Sequence, residues 1–349
     1  MSVDLPRLAS WLRCPVCGAD LEPVDRLTMG CKNGHRHDVN KRGYVSLLGS
    51  GTKLVGDTAE MLDARDLVLE GGAYSPIAEA VASTVAAAIG GAEAVASTVA
   101  AAIGGADPIS AASGVAPGAA GVASRATGSR PGTRILDAGA GTGYYLRAAL
   151  AAVPSAAGLA LDLSPQAVAR AVRSSGRVDG VVADTWRPLP VRSSIADAVL
   201  DVFAPRNLPE FHRVLRPGGA LVVVVPRADH LASLRVDGTM LDIPSDKAED
   251  VIRASEPLYA LHSREPVAYD LAVPGALRAA LVGMGPSARH ADAHHVDARD
   301  ADARHAEARH AAAHHADARD ADAESPSADS DLAADSTRVS VDVLRLTRR

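Results

Sequence analysis

Five apolar runs recur between residues 133 and 225, and three of them end in an acid. Arg134-Ile-Leu-Asp137 is the first, Gly158-Leu-Ala-Leu-Asp162 the second and Val181-Val-Ala-Asp184 the third. Ala196-Asp-Ala-Val-Leu-Asp-Val-Phe203 reads as a fourth strand. Leu215-Arg-Pro-Gly-Gly-Ala-Leu followed by four valines reads as a turn and a fully buried fifth strand. Runs buried on both faces, with helix-length stretches between them, predict a doubly wound α/β domain with a mostly parallel sheet. Val339-Ser-Val-Asp-Val-Leu-Arg-Leu alternates as an edge strand and should close that sheet.

Between the first run and a helix opening at about Tyr144 lie three glycines on alternate positions, Gly139, Gly141 and Gly143. Such a turn brings backbone N–H groups and a helix N-terminus close to a nucleotide-like ligand. The spacing does not fit Gly-x-Gly-x-x-Gly in either register, since Tyr144 or Leu146 would fill the third slot. It resembles instead the first motif of S-adenosylmethionine (SAM) methyltransferases. Asp162 is then placed to accept from both ribose hydroxyls and Asp184 to meet an adenine amino group.

All three cysteines lie near the N-terminus, as Cys14-x2-Cys17-x13-Cys31-x3-His35. Three thiolates and one imidazole make a closed tetrahedral zinc site, structural because no position is left for a reacting water. Folding of this small module should be coupled to the metal. His37 competes for the fourth position on less favourable spacing.

Composition refines the picture. Aromatics are only 3% of 349 residues, so part of the length is not packed core. The net charge of −6 does not suggest nucleic acid. Residues 1–56, however, carry eight Arg/Lys against five Asp/Glu, and Lys32, Arg36, Lys41 and Arg42 could meet phosphates. Arg7 and Arg13 interrupt the N-terminus before any signal-like apolar region. The uncharged runs at 80–92 and 94–106 are 13 residues each, too short to span a bilayer. A cytoplasmic protein without membrane attachment is expected.

Two regions depart from this plan. Residues 78–91 are repeated letter for letter at 92–105, and Gly90-Gly91 should break the helix between the copies. Residues 289–324 are built mainly from Ala, His, Asp and Arg, with seven of the twelve histidines. That stretch reads as a low-complexity insertion, with metal binding as the alternative.

Several segments in order carry a family resemblance: Leu12-Arg-Cys-Pro-Val-Cys, Cys31-Lys-Asn-Gly-His, Lys41-Arg-Gly-Tyr-Val-Ser-Leu-Leu and Gly56-Asp-Thr-Ala-Glu-Met, then the glycine motif, Val202-Phe-Ala-Pro-Arg-Asn207, Asp229-His-Leu and Gly283-Met-Gly-Pro-Ser287. Together they resemble the bacterial 23S rRNA (guanine-N1)-methyltransferases, in the branch that includes the tylosin-resistance enzymes. The resemblance implies a zinc ribbon followed by a class I (Rossmann-like) SAM methyltransferase domain with a seven-stranded sheet. It implies methylation of N1 of one guanine in a 23S rRNA hairpin loop, and with it macrolide resistance. It places zinc on Cys14, Cys17, Cys31 and His35. Cofactor contacts follow at Tyr74, Asp137, Gly139, Gly141, Thr142, Gly143, Asp162, Asp184 and His230. The loop from Asp201 to Asn207 should lie beside the methyl group, with Asp201 as a candidate base and Asn207 reading the guanine edge. The partner is an rRNA hairpin or a ribosomal subunit precursor, and a homodimer around the RNA is one arrangement. The expected organisation is a zinc module over 1–50, connecting helices over 51–105 and a linker over 106–132. The methyltransferase core follows over 133–288, then the insertion over 289–337 and a final strand over 338–349. A small-molecule methyltransferase and a non-catalytic zinc-containing RNA-binding protein are the other readings.

Overall fold

The computed structural model describes residues 3–49, 56–90, 132–235, 243–284 and 336–349. The second repeat copy, nearly all of the 106–132 linker, Gly285–Ser287 and the insertion up to residue 335 lie outside the described residues.

Among the described residues, eleven strands form one sheet in the order β1-β2-β3-β4-β7-β6-β5-β8-β9-β11-β10. The five apolar runs supply its centre. They are β5 (Arg134–Ala138), β6 (Ala157–Asp162), β7 (Val178–Val182), β8 (Ala196–Val202) and β9 (Leu215–Pro226), all parallel to their neighbours in this group. β11 (Ser336–Arg348) pairs antiparallel with both β9 and β10 (Tyr259–Ala272). These seven strands are the expected core.

Two expectations change. β11 is not an edge strand: it is buried between β9 and β10, and β10 forms the edge. Its polar residues Thr337, Ser340 and Asp342 are buried with it, and its odd and even apolar residues serve opposite faces. The sheet also exceeds seven strands. β4 (Tyr44–Ser46) runs parallel to β7, and β1 (Glu22–Asp25), β2 (Thr28–Gly30) and β3 (Arg36–Asn40) continue from it antiparallel. The N-terminal module therefore extends the central sheet and is not a bead on a linker.

Helices cover both faces. α1 (Leu5–Trp11) starts where Asp4 accepts from the Arg7 N–H, with Pro6 in the first turn. Its Leu5, Leu8 and Trp11 join one core with Leu136, Leu159 and Val199. The same face takes Phe211 of α6 (Leu208–Val214) and Val251 of α8 (Lys247–Ser255). On the other face lie α3 (Ser75–Ile89), α4 (Tyr144–Ala152) and α9 (Gly275–Gly283). α3 stops at Gly90, whose φ of 102° is a left-handed cap, as the Gly-Gly pair predicts. α2 (Ala59–Glu70), capped by the Thr58 hydroxyl on the Met61 N–H, packs on α9. α5 (Pro165–Ser174) is capped by Ser164, and α7 (Ala232–Arg235) is a single turn.

Candidate functional site

The carboxyl ends of β5, β8 and β9 and helices α2 and α9 enclose a cavity of about 360 Å³. Gly139, Gly141 and Gly143 turn the chain over it at φ values of 86°, 53° and 83°. These are conformations an L side chain rarely adopts. The turn also packs closely. A Cβ on Gly139 would meet the Ala204 Cβ at 2.5 Å, and one on Gly143 would meet Ala171 at 2.8 Å. Without side chains the turn can pack this closely on Ala204 and Ala171, and its backbone at Gly139, Ala140, Gly141 and Thr142 lines the cavity, which suits a nucleoside cofactor.

Of the expected cofactor residues, Tyr74, Gly139, Gly141, Thr142 and His230 line the cavity, while Asp137, Gly143, Asp162 and Asp184 lie outside its lining. Asp162 supports the turn: its Oδ2 accepts from the Gly141 N–H at 2.9 Å and its Oδ1 from the Ser164 N–H at 2.8 Å. Asp184 accepts from the Trp186 N–H at 2.9 Å. Asp137 is buried beneath the glycines, and its Oδ2 has no hydrogen-bond partner among the described residues. Burial, then the nearby charges of Asp162 and Asp201, push its carboxyl up to about 8.

The mouth of the cavity is aromatic. Phe203 stacks on His230 with ring centres 5.9 Å apart and lies 6.1 Å from Tyr74 and 6.4 Å from Tyr145. Phe203 holds a φ of 53°, a strained conformation outside glycine that tends to mark functional sites. His230 Nδ1 accepts from the Ser340 N–H at 3.2 Å, so the neutral ring carries its proton on Nε2. Burial lowers its pKa to about 4, which keeps it a neutral donor. Sequence reasoning passed over Phe203, Tyr145, Arg65 and Lys247. Phe203 lies within a motif already singled out. Arg65 and Lys247 sit on ordinary helices and carry no local signal.

Asp201 and Asn207 do not take the expected places. β8 ends at Val202, so alternation sends Val202 to the cavity side and Asp201, with Val199, to the opposite face. Asp201 is fully buried against Arg206, 3.3 Å away, and burial raises its pKa to about 7. Its carboxyl does not line the cavity. The Asn207 amide donates to the Thr185 and Arg187 carbonyls at 2.8 and 3.2 Å. Its side-chain donors are thus spent on joining the loop after β8 to the loop after β7.

Cys14, Cys17, Cys31 and His35 converge, with their ligand atoms all within 4.8 Å of one another. Three sulfurs and one nitrogen suit tetrahedral zinc. His37 lies 3.5 Å from the Cys14 sulfur and outside this set of four. There it can donate to the thiolate, as outer partners of zinc sites do. Because β3 runs antiparallel to β4 and β4 parallel to β7, Cys31 and His35 lie at the same sheet edge as the cavity. Lys41 and Arg42 sit in the β3–β4 turn at the opposite edge, lining a separate cleft, while Lys32 and Arg36 flank the zinc ligands.

Residues 12–53 match the zinc-ribbon model described as RlmA, N-terminal, and residues 135–219 match a methyltransferase domain model. A candidate 23S rRNA (guanine-N(1)-)-methyltransferase of Micromonospora griseorubida is 39% identical over 294 residues, covering 82% of this chain and 90% of that protein. The 23S rRNA (guanine(748)-N(1))-methyltransferase of Streptomyces fradiae is 36% identical over 282 residues, covering 81% of this chain and 87% of its own length.

Proposed function

Since the chain belongs to the 23S rRNA (guanine-N1)-methyltransferase family, we propose that it transfers a methyl group from SAM to N1 of one guanine in a 23S rRNA hairpin loop. The target we favour is the guanine at position 748, for which the Streptomyces fradiae relative is named. Macrolide resistance and a cytoplasmic place of action go with that target.

The observation that carries the reading is the shared edge: an aromatic-mouthed SAM cavity and a Cys3His zinc site open toward the same ends of one sheet. When bound, SAM supplies an electrophilic methyl on a cationic sulfur. The faces of Tyr74, Tyr145 and Phe203 suit a cation. Their rigid packing restricts how a flat base can enter, and alignment is most of what an in-line displacement needs. His230 can donate from Nε2 into the cavity. Guanine N1 is normally paired, so the base must come from a loop or be flipped out. The zinc module would hold the surrounding RNA, with Lys32 and Arg36 on its phosphates. Among the described residues no helix is long and apolar enough to cross a membrane.

The test is a methyl-transfer reaction with purified chain, labelled SAM and a 23S rRNA transcript, followed by digestion to nucleosides. Label in 1-methylguanosine supports the reading. Label in another nucleoside, or none, refutes it. Label at a guanine other than 748 would keep the reaction and discard the favoured target.

A further inference from the structure

Trp186 is one of two tryptophans, and the fold does not use it. It is 65% exposed, whereas Trp11 is fully buried. An indole in water forgoes a large burial gain. A single exposed apolar residue needs no account by itself; what sets this one apart is the hydrogen-bonded turn that carries it and where that turn lies. Its own N–H donates to Asp184 Oδ1 at 2.9 Å, and the Arg187 N–H donates to the Asp184 carbonyl at 3.1 Å. Asn207 clamps the same turn through the carbonyls on either side of Trp186. Three sets of hydrogen bonds therefore fix the backbone that carries this exposed ring.

Its location narrows the use. On one side the chain continues to Leu189 and Pro190, whose carbonyls accept from the Arg13 side chain and backbone, one residue before the zinc ligand Cys14. On the other side the Asn207 clamp leads to the loop of Phe203, whose ring lines the cavity. Trp186 thus stands between zinc module and cavity, on the edge that both share. Arg187 beside it has a side chain 81% exposed.

We propose that Trp186 is a positioning residue: a stacking platform for one unpaired base of the RNA substrate next to the target guanine. The inference rests on the rRNA reading above. Taking a guanine out of its stack leaves a neighbouring base with one face uncovered. An indole face replaces that contact without regard to base identity, and an adjacent guanidinium can meet the phosphate. The clamp through Asn207 sets the backbone of the platform before RNA arrives, so binding has only the side chain left to order.

The test compares wild type, Trp186→Ala and Trp186→Phe in methyl transfer to 23S rRNA, with SAM affinity measured separately by calorimetry. Trp186→Ala should raise the KM for RNA about tenfold, with kcat and SAM affinity within about twofold of wild type. Trp186→Phe should recover most of the loss. RNA should also quench the solvent-exposed tryptophan emission of the wild type, because Trp11 is inaccessible. An active wild type with unchanged KM in Trp186→Ala would overturn this inference alone. A loss of SAM affinity in Trp186→Ala would overturn it too, by assigning the ring to the cofactor. A wild type that methylates no 23S rRNA would remove both this inference and the reading beneath it.

Discussion

Gly139 and Ala204 show how little room the site leaves for change. Gly139→Ala adds a methyl 2.5 Å from the Ala204 Cβ at a φ of 86°. The loop carrying Phe203 must then move, and a strained conformation of this kind costs on the order of 1–3 kcal/mol. SAM affinity should fall at least about tenfold in calorimetry, with the far-ultraviolet circular dichroism unchanged. Asp137 makes a pH prediction. Its folded pKa of about 8 lies above the ordinary aspartate value. The folded state therefore binds the proton more tightly, and cofactor-free protein should lose stability as pH rises from about 4 through 8. Asp137→Asn should flatten part of that slope in urea titrations; an unchanged slope would show that the carboxyl ionises freely. At this scale the sequence was legible where chemistry sits on backbone geometry or metal spacing. The glycine turn and the cluster of Cys14, Cys17, Cys31 and His35 were legible because their residue types are demanded by shape and coordination. Asp201 was misplaced because one step along a strand reverses its face, and only the observed end at Val202 fixes that. Asn207 looked like a base reader because loop-to-loop hydrogen bonds leave no mark in sequence.

Among the elements, the buried strands were the most legible. β5 to β9 are apolar because both faces are covered. β10 was not anticipated. It is an edge strand exposed at every position from Ala260 to Pro266, so only the short alternation of Val267, Tyr269 and Leu271 announces it. β11 was found but put at the edge for the same reason, since its missing neighbour could not be seen. The zinc strands β1 to β3 bury little of their own: all four residues of β1 are exposed. Their stability should come from the metal. Chelation, or Cys14→Ser, should therefore expose this end of the sheet to protease, while SAM binding by the remaining core persists. Limited proteolysis with and without chelator reads this directly, and cleavage scattered through β5 to β9 would contradict it.

Across the whole molecule, the apparent division into zinc module and enzyme dissolves. α1 packs Leu5, Leu8 and Trp11 under the catalytic sheet, and Arg7 holds the buried Asp179 at 2.8 Å. Burying such side chains contributes about 1.5–3 kcal/mol each, against a net stability of roughly 5–15 kcal/mol for a whole domain. Deleting residues 1–49 should therefore unfold the core rather than leave a SAM-binding remnant, unlike removal of zinc alone; a cooperative urea transition in the truncated chain would refute this. That continuity was not legible, because a short helix at a chain end looks the same whether it caps a module or lines a core. It also gives the shared edge its meaning: RNA held at the zinc site, as we propose, would be held by the same sheet that carries the cavity. The most direct measurement is primer extension on 23S rRNA from a host lacking its own guanine-N1 enzyme, with and without this protein. N1-methylguanine blocks the pairing edge, so reverse transcriptase should stop one nucleotide before a hairpin-loop guanine only when the protein is present. Identical extension in both samples, from a protein that still binds SAM, would contradict the assignment of 23S rRNA as substrate.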